Sequence, residues 1–267
     1  MIAPLLILAA GQRCGSTLLQ RLLTSHPGVL IWGEQGGHLA RILDAVDGLL
    51  SWSEDFGEHA RAEYSQHAHH AWMANLSPDR DQILDALRHF IHALYGEPAA
   101  RRGRPLWGLK EVRHSLSDAR RLNVLFPGMA VILLIRDPRD VLRSLDEWER
   151  RSAGLWTREH TEQALANWQR VAEDFLAPPD AGLPVLRLRY EDLIADPSGT
   201  CEIIATHTGL DADAFDPTVF TTRVHIGEGL AHLPRDLREW DNLPVSLRRL
   251  LDPPAIRSIT RACGYRT

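Results

Sequence analysis

The stretch Leu5–Leu23, LLILAAGQRCGSTLLQRLL, narrows what this chain can fold into more than any other. An apolar run from Pro4 to Ala9 has the length of a buried parallel strand. Gly11 and Gly15 bracket a turn, and Leu18, Leu19, Leu22 and Leu23 then recur at the three- and four-residue spacing of an amphipathic helix. Strand, glycine turn and helix start predict an α/β fold with an anion cradle. The first N–H groups of a helix have no internal partner, and its dipole places partial positive charge beside them. Arg13 adds a full charge and a bidentate fork. The loop departs from the ATP-binding pattern G-x-x-x-x-G-K-[ST], being one residue shorter and lacking a lysine before Ser16-Thr17, which points away from ATP.

A second strand-to-helix junction lies at Val131–Leu145, VILLIRDPRDVLRSL. Asp137 stands where an N-cap belongs and Pro138 where the first helical residue belongs, so Arg136 is expected to end the strand and Ser144 to lie in the second turn. Val141, Leu145 and Trp148 define the expected buried face. Arg136 then sits at the carboxyl edge of the sheet, where open α/β folds bind ligands. A nucleotide triphosphatase would want an acid there for magnesium, whereas an arginine suits an anion. A third junction runs from the strand Val185–Arg189 into Tyr190-Glu191-Asp192-Leu193.

With these three junctions in order, the chain resembles the sulfotransferases that use 3′-phosphoadenosine 5′-phosphosulfate. In that family the first loop holds the 5′-phosphosulfate, which the resemblance carries onto Gln12, Arg13, Cys14, Gly15, Ser16, Thr17 and Leu18. An arginine followed eight residues later by a serine binds the 3′-phosphate there, and Arg136 with Ser144 fits. Tyr190 matches the tyrosine that contacts the nucleotide. Gly33-Glu34, after His26-Pro27 and the short strand Val29–Trp32, resembles the Gly-Glu pair of tyrosylprotein sulfotransferases, whose glutamate deprotonates the acceptor hydroxyl. Other members use histidine, so His38 is the competing base. Lys110, at the end of the strand Leu106–Glu111, matches a lysine beside the sulfuryl group, although Glu111-Val112 departs from the family's continuation. Glu111 is read as the partner of a neighbouring cation. Arg223, in RVHIGEG, stands in the region of the loop over the 3′-phosphate, but the usual R-K-G triplet is missing.

Composition bounds the partners. Net charge of −5 and a pI near 6.2 argue against nucleic acid or a long sulfated polysaccharide, both of which need a broad basic surface, and favour a small acceptor. Arg101, Arg102 and Arg104 read as a solvated loop. The first apolar run is too short to span a bilayer and lacks the flanks of an export signal. Cys14, Cys201 and Cys263 are too few and scattered for a disulfide framework or a zinc site, which suggests a reducing cytoplasm and no metal.

From about residue 39 to 100 the pattern turns helical, with Ile83, Leu84, Leu87, Phe90, Ile91 and Leu94 on one face of a helix that Ser77 caps and Pro78 begins. His67, His69 and His70 read as surface residues, and Trp52, Phe56, Tyr64 and Trp72 as candidates to line an acceptor pocket. Further on, Thr157 is expected to cap one helix, and Asp196-Pro197 to start another that Gly209 ends.

The expectation is one domain over residues 1–267. It is an α/β fold with a P-loop-like parallel sheet flanked by helices, and a helical insertion between the second and third strands. Arg13 and Lys110 would stabilise charge on a transferring sulfuryl group and Glu34 would take the proton from a small-molecule hydroxyl. Two alternatives stay open from the residues alone: a P-loop nucleotide kinase, and a protein that binds the nucleotide without turning it over.

Overall fold

A computed structural model of the chain describes residues 1–151, 156–178, 182–221 and 243–266. Five strands form the sheet: β1 (Leu5–Ala9), β2 (Val29–Trp32), β3 (Leu106–Glu111), β4 (Ala130–Ile135) and β5 (Val185–Arg189). Their order is β2-β3-β1-β4-β5, and every neighbouring pair is parallel. β1 lies at the centre, with Leu5 opposite Gly108 on one side and Ala130 on the other. All five of its residues are buried, as a strand covered on both faces requires.

Parallel strands need crossovers, and the helices supply them. From β1 the chain returns through α1 (Ser16–Ser25) to β2 on one side, whereas from β4 it leaves through α7 (Pro138–Arg151) and α8 (Arg158–Leu176) to β5 on the other. β1 and β4 are neighbours whose connections run in opposite directions, which makes their carboxyl ends the switch point of the sheet. Because all strands are parallel, the loops after β1, β2, β3, β4 and β5 emerge at that one edge.

Between β2 and β3 stand α2 (His38–Trp52), α3 (Glu58–His67), α4 (Arg80–Ile91) and α5 (Glu97–Ala100), the expected helical insertion. After β3 come α6 (Leu116–Leu125) and, beyond β5, α9 (Tyr190–Ala195), α10 (Pro197–Thr208), α11 (Val245–Arg248) and α12 (Pro254–Ala262). Thr157 caps α8 and Asp196 caps α10, which ends at Gly209 in the left-handed region, all as expected. No helix among the described residues is long and apolar enough to cross a membrane.

Four expectations need correction. β4 stops at Ile135, so Arg136 is the first residue past the strand. α4 is capped by Asp79, whose carboxylate accepts the Gln82 N–H while the Gln82 side chain returns the bond; Ser77 caps nothing, and Phe90 and Leu94 lie on the exposed side. Trp148 is not core: at 36% exposure it lies on the side of α7 that faces Arg13, while Val141, Leu142 and Leu145 are buried. Arg104 is no solvated charge, because its guanidinium donates to the carbonyls of Thr24, His26 and Val29 and fastens the end of α1 to the start of β2. A loop charge becomes structural where three carbonyls lack partners.

Candidate active site

The loop after β1 is shaped by its backbone. Gly11, Arg13 and Gly15 all have positive φ, at 75°, 67° and 89°. Glycine adopts this region without penalty, but an arginine there costs about 1 kcal/mol and needs neighbours that enforce it. Arg136 donates to the Arg13 carbonyl at 3.0 Å, and Arg13 Nε donates to Ser144 Oγ at 2.8 Å. The Arg13 guanidinium lies 5.3 Å from the centroid of the Trp148 ring. Two segments 131 residues apart are thereby clasped at the switch point.

Gly15 is the N-cap of α1, no side chain caps it, and no acidic residue occupies the first turn. The N-terminal N–H groups of the helix are therefore left toward the loop. A Cβ on Gly15 would collide with the Tyr190 ring, so the tyrosine packs against the loop backbone itself. Arg136 lies 4.4 Å above that ring, and its NH2 is 3.6 Å from the Asp140 carboxylate. Burial raises the pKa of the Tyr190 hydroxyl and keeps it protonated.

Cys14 shows which of two opposed effects wins. A thiol beside a helix N-terminus is usually acidified. Here the side chain is fully buried and Sγ donates to the Ala10 carbonyl at 2.6 Å, and burial pushes its pKa strongly upward. Cys14 and Leu18, both buried, can offer the loop only their backbone. Ser16 is buried, Thr17 half-buried, and the Gln12 Oε1 is buried without a hydrogen-bond partner among the described residues.

At the other half of the edge, Glu34 follows β2 on a loop whose Gly36 and Gly37 have positive φ. Its carboxylate lies between two cations: Lys110 Nζ at 2.7 Å from Oε1, and Arg113 NH1 at 2.9 Å from Oε2. Lys110 is only 6% exposed, against 29% for Glu34 and 40% for Arg113. A buried ammonium needs such a partner, and removing the partner costs far more than an exposed pair is worth. His38 opens α2 and is exposed.

Three features were not legible in advance. Arg113 is a lone loop arginine and carries no motif. Glu111, expected to pair with a neighbouring cation, is fully buried: Oε1 accepts the Gln35 N–H at 3.0 Å, and Oε2 lies 3.4 Å from His114 Nδ1, itself 1% exposed, with no hydrogen bond between the two. Glu191 accepts the Asp137 N–H at 2.9 Å and the Tyr265 hydroxyl at 3.0 Å, tying the C-terminal segment beneath the second junction. Burial raises the Glu191 pKa, partly offset by those bonds. Arg223, with the RVHIGEG loop, lies outside the described residues.

Trp52, Phe56, Tyr64 and Trp72 are exposed by 49%, 46%, 43% and 71%, so they form no enclosed pocket; Trp52 and Phe56 pack on each other at 4.8 Å between centroids. No group of three or more His, Cys, Asp or Glu able to hold a metal occurs among the described residues.

Residues 4–214 match the sequence model of the Sulfotransferase family. Among solved structures, the fold is similar to the sulfotransferase domain from the curacin biosynthetic pathway, at 17% identity with TM-score 0.53, covering 99% of both chains. It is likewise similar to the sulfotransferase domain of a Synechococcus olefin synthase, at 18% identity and TM-score 0.53, covering 100% of this chain and 97% of that one. A mouse sulfotransferase complexed with PAP aligns at 11% identity and TM-score 0.51, over 97% and 84% of the two chains. At these identities the likeness is one of fold. No curated protein matches the chain by sequence.

Proposed function

We propose that this chain, which belongs to the sulfotransferase family, moves a sulfuryl group from 3′-phosphoadenosine 5′-phosphosulfate to a hydroxyl of a small-molecule acceptor, as one domain and without a metal. The observation that carries this reading is the Glu34–Lys110 pair at 2.7 Å, on the same sheet edge as the uncapped start of α1. One edge thus offers an anion cradle, a buried cation and a carboxylate.

The residues present suit the donor. The α1 N-terminus and Arg13 fit a 5′-phosphosulfate, Arg136 and Ser144 fit a 3′-phosphate, and Tyr190 lies against the loop between them. The donor, when bound, supplies the sulfuryl group, whose oxygens carry negative charge while the bond to the phosphate breaks and the bond to the acceptor oxygen forms. Lys110 and Arg13 stabilise that charge. Glu34 takes the acceptor proton as the acceptor oxygen attacks, since an alcohol is too weak an acid to give its proton to a carboxylate beforehand. The net charge of −5 favours a small acceptor over a polyanion.

The test is mass spectrometry of hydroxyl metabolites incubated with the protein and donor, in chelator and in magnesium, scanned for sulfo-group additions. Transfer unaffected by chelator supports the reading; phosphoryl transfer from ATP that needs magnesium would replace it with the kinase. Glu34→Gln keeps the shape and an acceptor for Lys110, so kcat should fall by roughly 10² to 10⁴ with binding of adenosine 3′,5′-bisphosphate near wild type. His38→Ala is the control: turnover lost there and kept in Glu34→Gln would move the base to His38.

A further inference from the structure

β2 and β3 are paired through backbone as far as Trp32 opposite Leu109. Past that point side chains join the two strands. Lys110 reaches the Glu34 carboxylate, and the next residue, Glu111, accepts the backbone N–H of the next residue, Gln35. Beyond its own turn bonds, the Gly33–Gly37 segment is tied, among the described residues, by Lys110 and Arg113 on the Glu34 side chain and by Glu111 on its backbone.

Glu111 is 0% exposed. Burying a carboxylate is costly unless its oxygens are bonded, and an apolar residue of similar volume would usually serve stability as well. Its second oxygen faces His114, equally buried at the start of the turn into α6. Neither residue enters the proposed chemistry. What Glu111 grips outside this pair is the amide next to Glu34, in a segment with two positive-φ glycines that has little stiffness of its own.

We propose that Glu111 is a positioning residue for Glu34: its carboxylate, through the Gln35 N–H, fixes the backbone of the glutamate loop so that Glu34 meets the acceptor at hydrogen-bond distance. The inference rests on the reading of Glu34 as the base. It accounts for a buried acid directly after a buried lysine: one side chain of β3 sets the charge beside Glu34, and the next sets its place.

The experiment compares Glu111→Asp with Glu111→Gln in the full chain. Asp keeps the charge facing His114 but draws the oxygens back from Gln35, whereas Gln keeps an oxygen within reach. Amide exchange at Gln35 is read without substrate, affinity for adenosine 3′,5′-bisphosphate by calorimetry, and kcat and KM with an un-ionised alcohol, 2-phenylethanol, as probe acceptor. Glu111→Asp should speed exchange at Gln35 by about tenfold or more and lower kcat about 10- to 100-fold, with KM and nucleotide affinity within about twofold. Glu111→Gln should keep Gln35 protection and at least about a third of kcat. Wild-type exchange in Glu111→Asp, unchanged kcat there, or a folded Glu111→Gln that loses kcat each overturns the inference. If Glu111→Asp does not fold, Glu111→Leu, which keeps the volume and removes the acceptor for the Gln35 N–H, takes its place with the same expected losses, and wild-type exchange or kcat in it overturns the inference. Glu34→Gln, run alongside, separates the two claims. Turnover retained in it removes the base reading, while exchange at Gln35 still reports whether Glu111 holds the loop.

Discussion

The loops after β1 and β2 open at the same sheet edge, yet they are held by different forces. The first is fixed mainly by steric contact and backbone geometry, with the Arg136 and Arg13 hydrogen bonds clasping it: three residues of positive φ, a glycine against the Tyr190 ring, and another whose Cβ would come within 2.7 Å of the Ala164 carbonyl. The second is fixed by charged side chains, through Lys110 and Arg113 on Glu34 and the buried Glu111 carboxylate on the Gln35 N–H. A sterically held loop presents one shape, which suits an anion bound the same way every time. A loop held by ion pairs responds when another anion competes for the same cations. The contrast fits the proposal that the first loop holds the nucleotide and the second takes the proton.

Lys110 lies on β3, between the strands that carry the two loops, and of the three variants that test this contrast its removal should have the largest effect. Lys110→Met keeps the stem and deletes the charge, so kcat should fall by about 10² to 10³ while affinity for adenosine 3′,5′-bisphosphate changes little. An equal loss of nucleotide affinity would place the lysine in the cradle and erase the division. Next comes Arg136→Ala. It should weaken the 3′-phosphorylated donor by about 1.5 to 3 kcal/mol, roughly 10- to 150-fold, and leave adenosine 5′-phosphosulfate, which lacks that phosphate, nearly untouched. Calorimetry with equal losses for both nucleotides would show that Arg136 only supports the Arg13 carbonyl. The smallest effect is on stability. Gly15→Ala strains the backbone at φ 89° and presses on Tyr190, at a cost of about 1 to 2 kcal/mol. Thermal unfolding of Gly15→Ala, Tyr190→Ala and the double variant should show part of that cost relieved without the ring; full additivity would mean that strain alone is responsible.

Legibility followed the same division. The cradle could be read because its elements are local: an apolar run, a glycine turn and helical leucines in consecutive residues, then an Asp-Pro helix start after a second apolar run. Tyr190 was found through the tyrosine motif, though nothing in the sequence says that its ring fills the space above Gly15. Trp148 was misplaced because its spacing from Val141 and Leu145 suits the buried face; only the position of Arg13, clasped from another loop, shows why an indole lies at that surface.

The sequence by itself determined the fold class, the helical insertion and the sulfotransferase resemblance, because hydrophobic periodicity and loop chemistry are short-range properties that each segment carries alone. Only the tertiary structure decided the state of the charges. Whether Glu111 is a solvated acid or a fully buried one, whether Arg104 is a loop cation or a clamp on three carbonyls, and whether Glu34 faces one cation or two depend on which backbone and side-chain groups lie within about 3 Å. Those neighbours come from residues as far as 80 positions away. Coulomb and desolvation energies change by several kcal/mol over such distances, and a one-dimensional pattern carries no record of them.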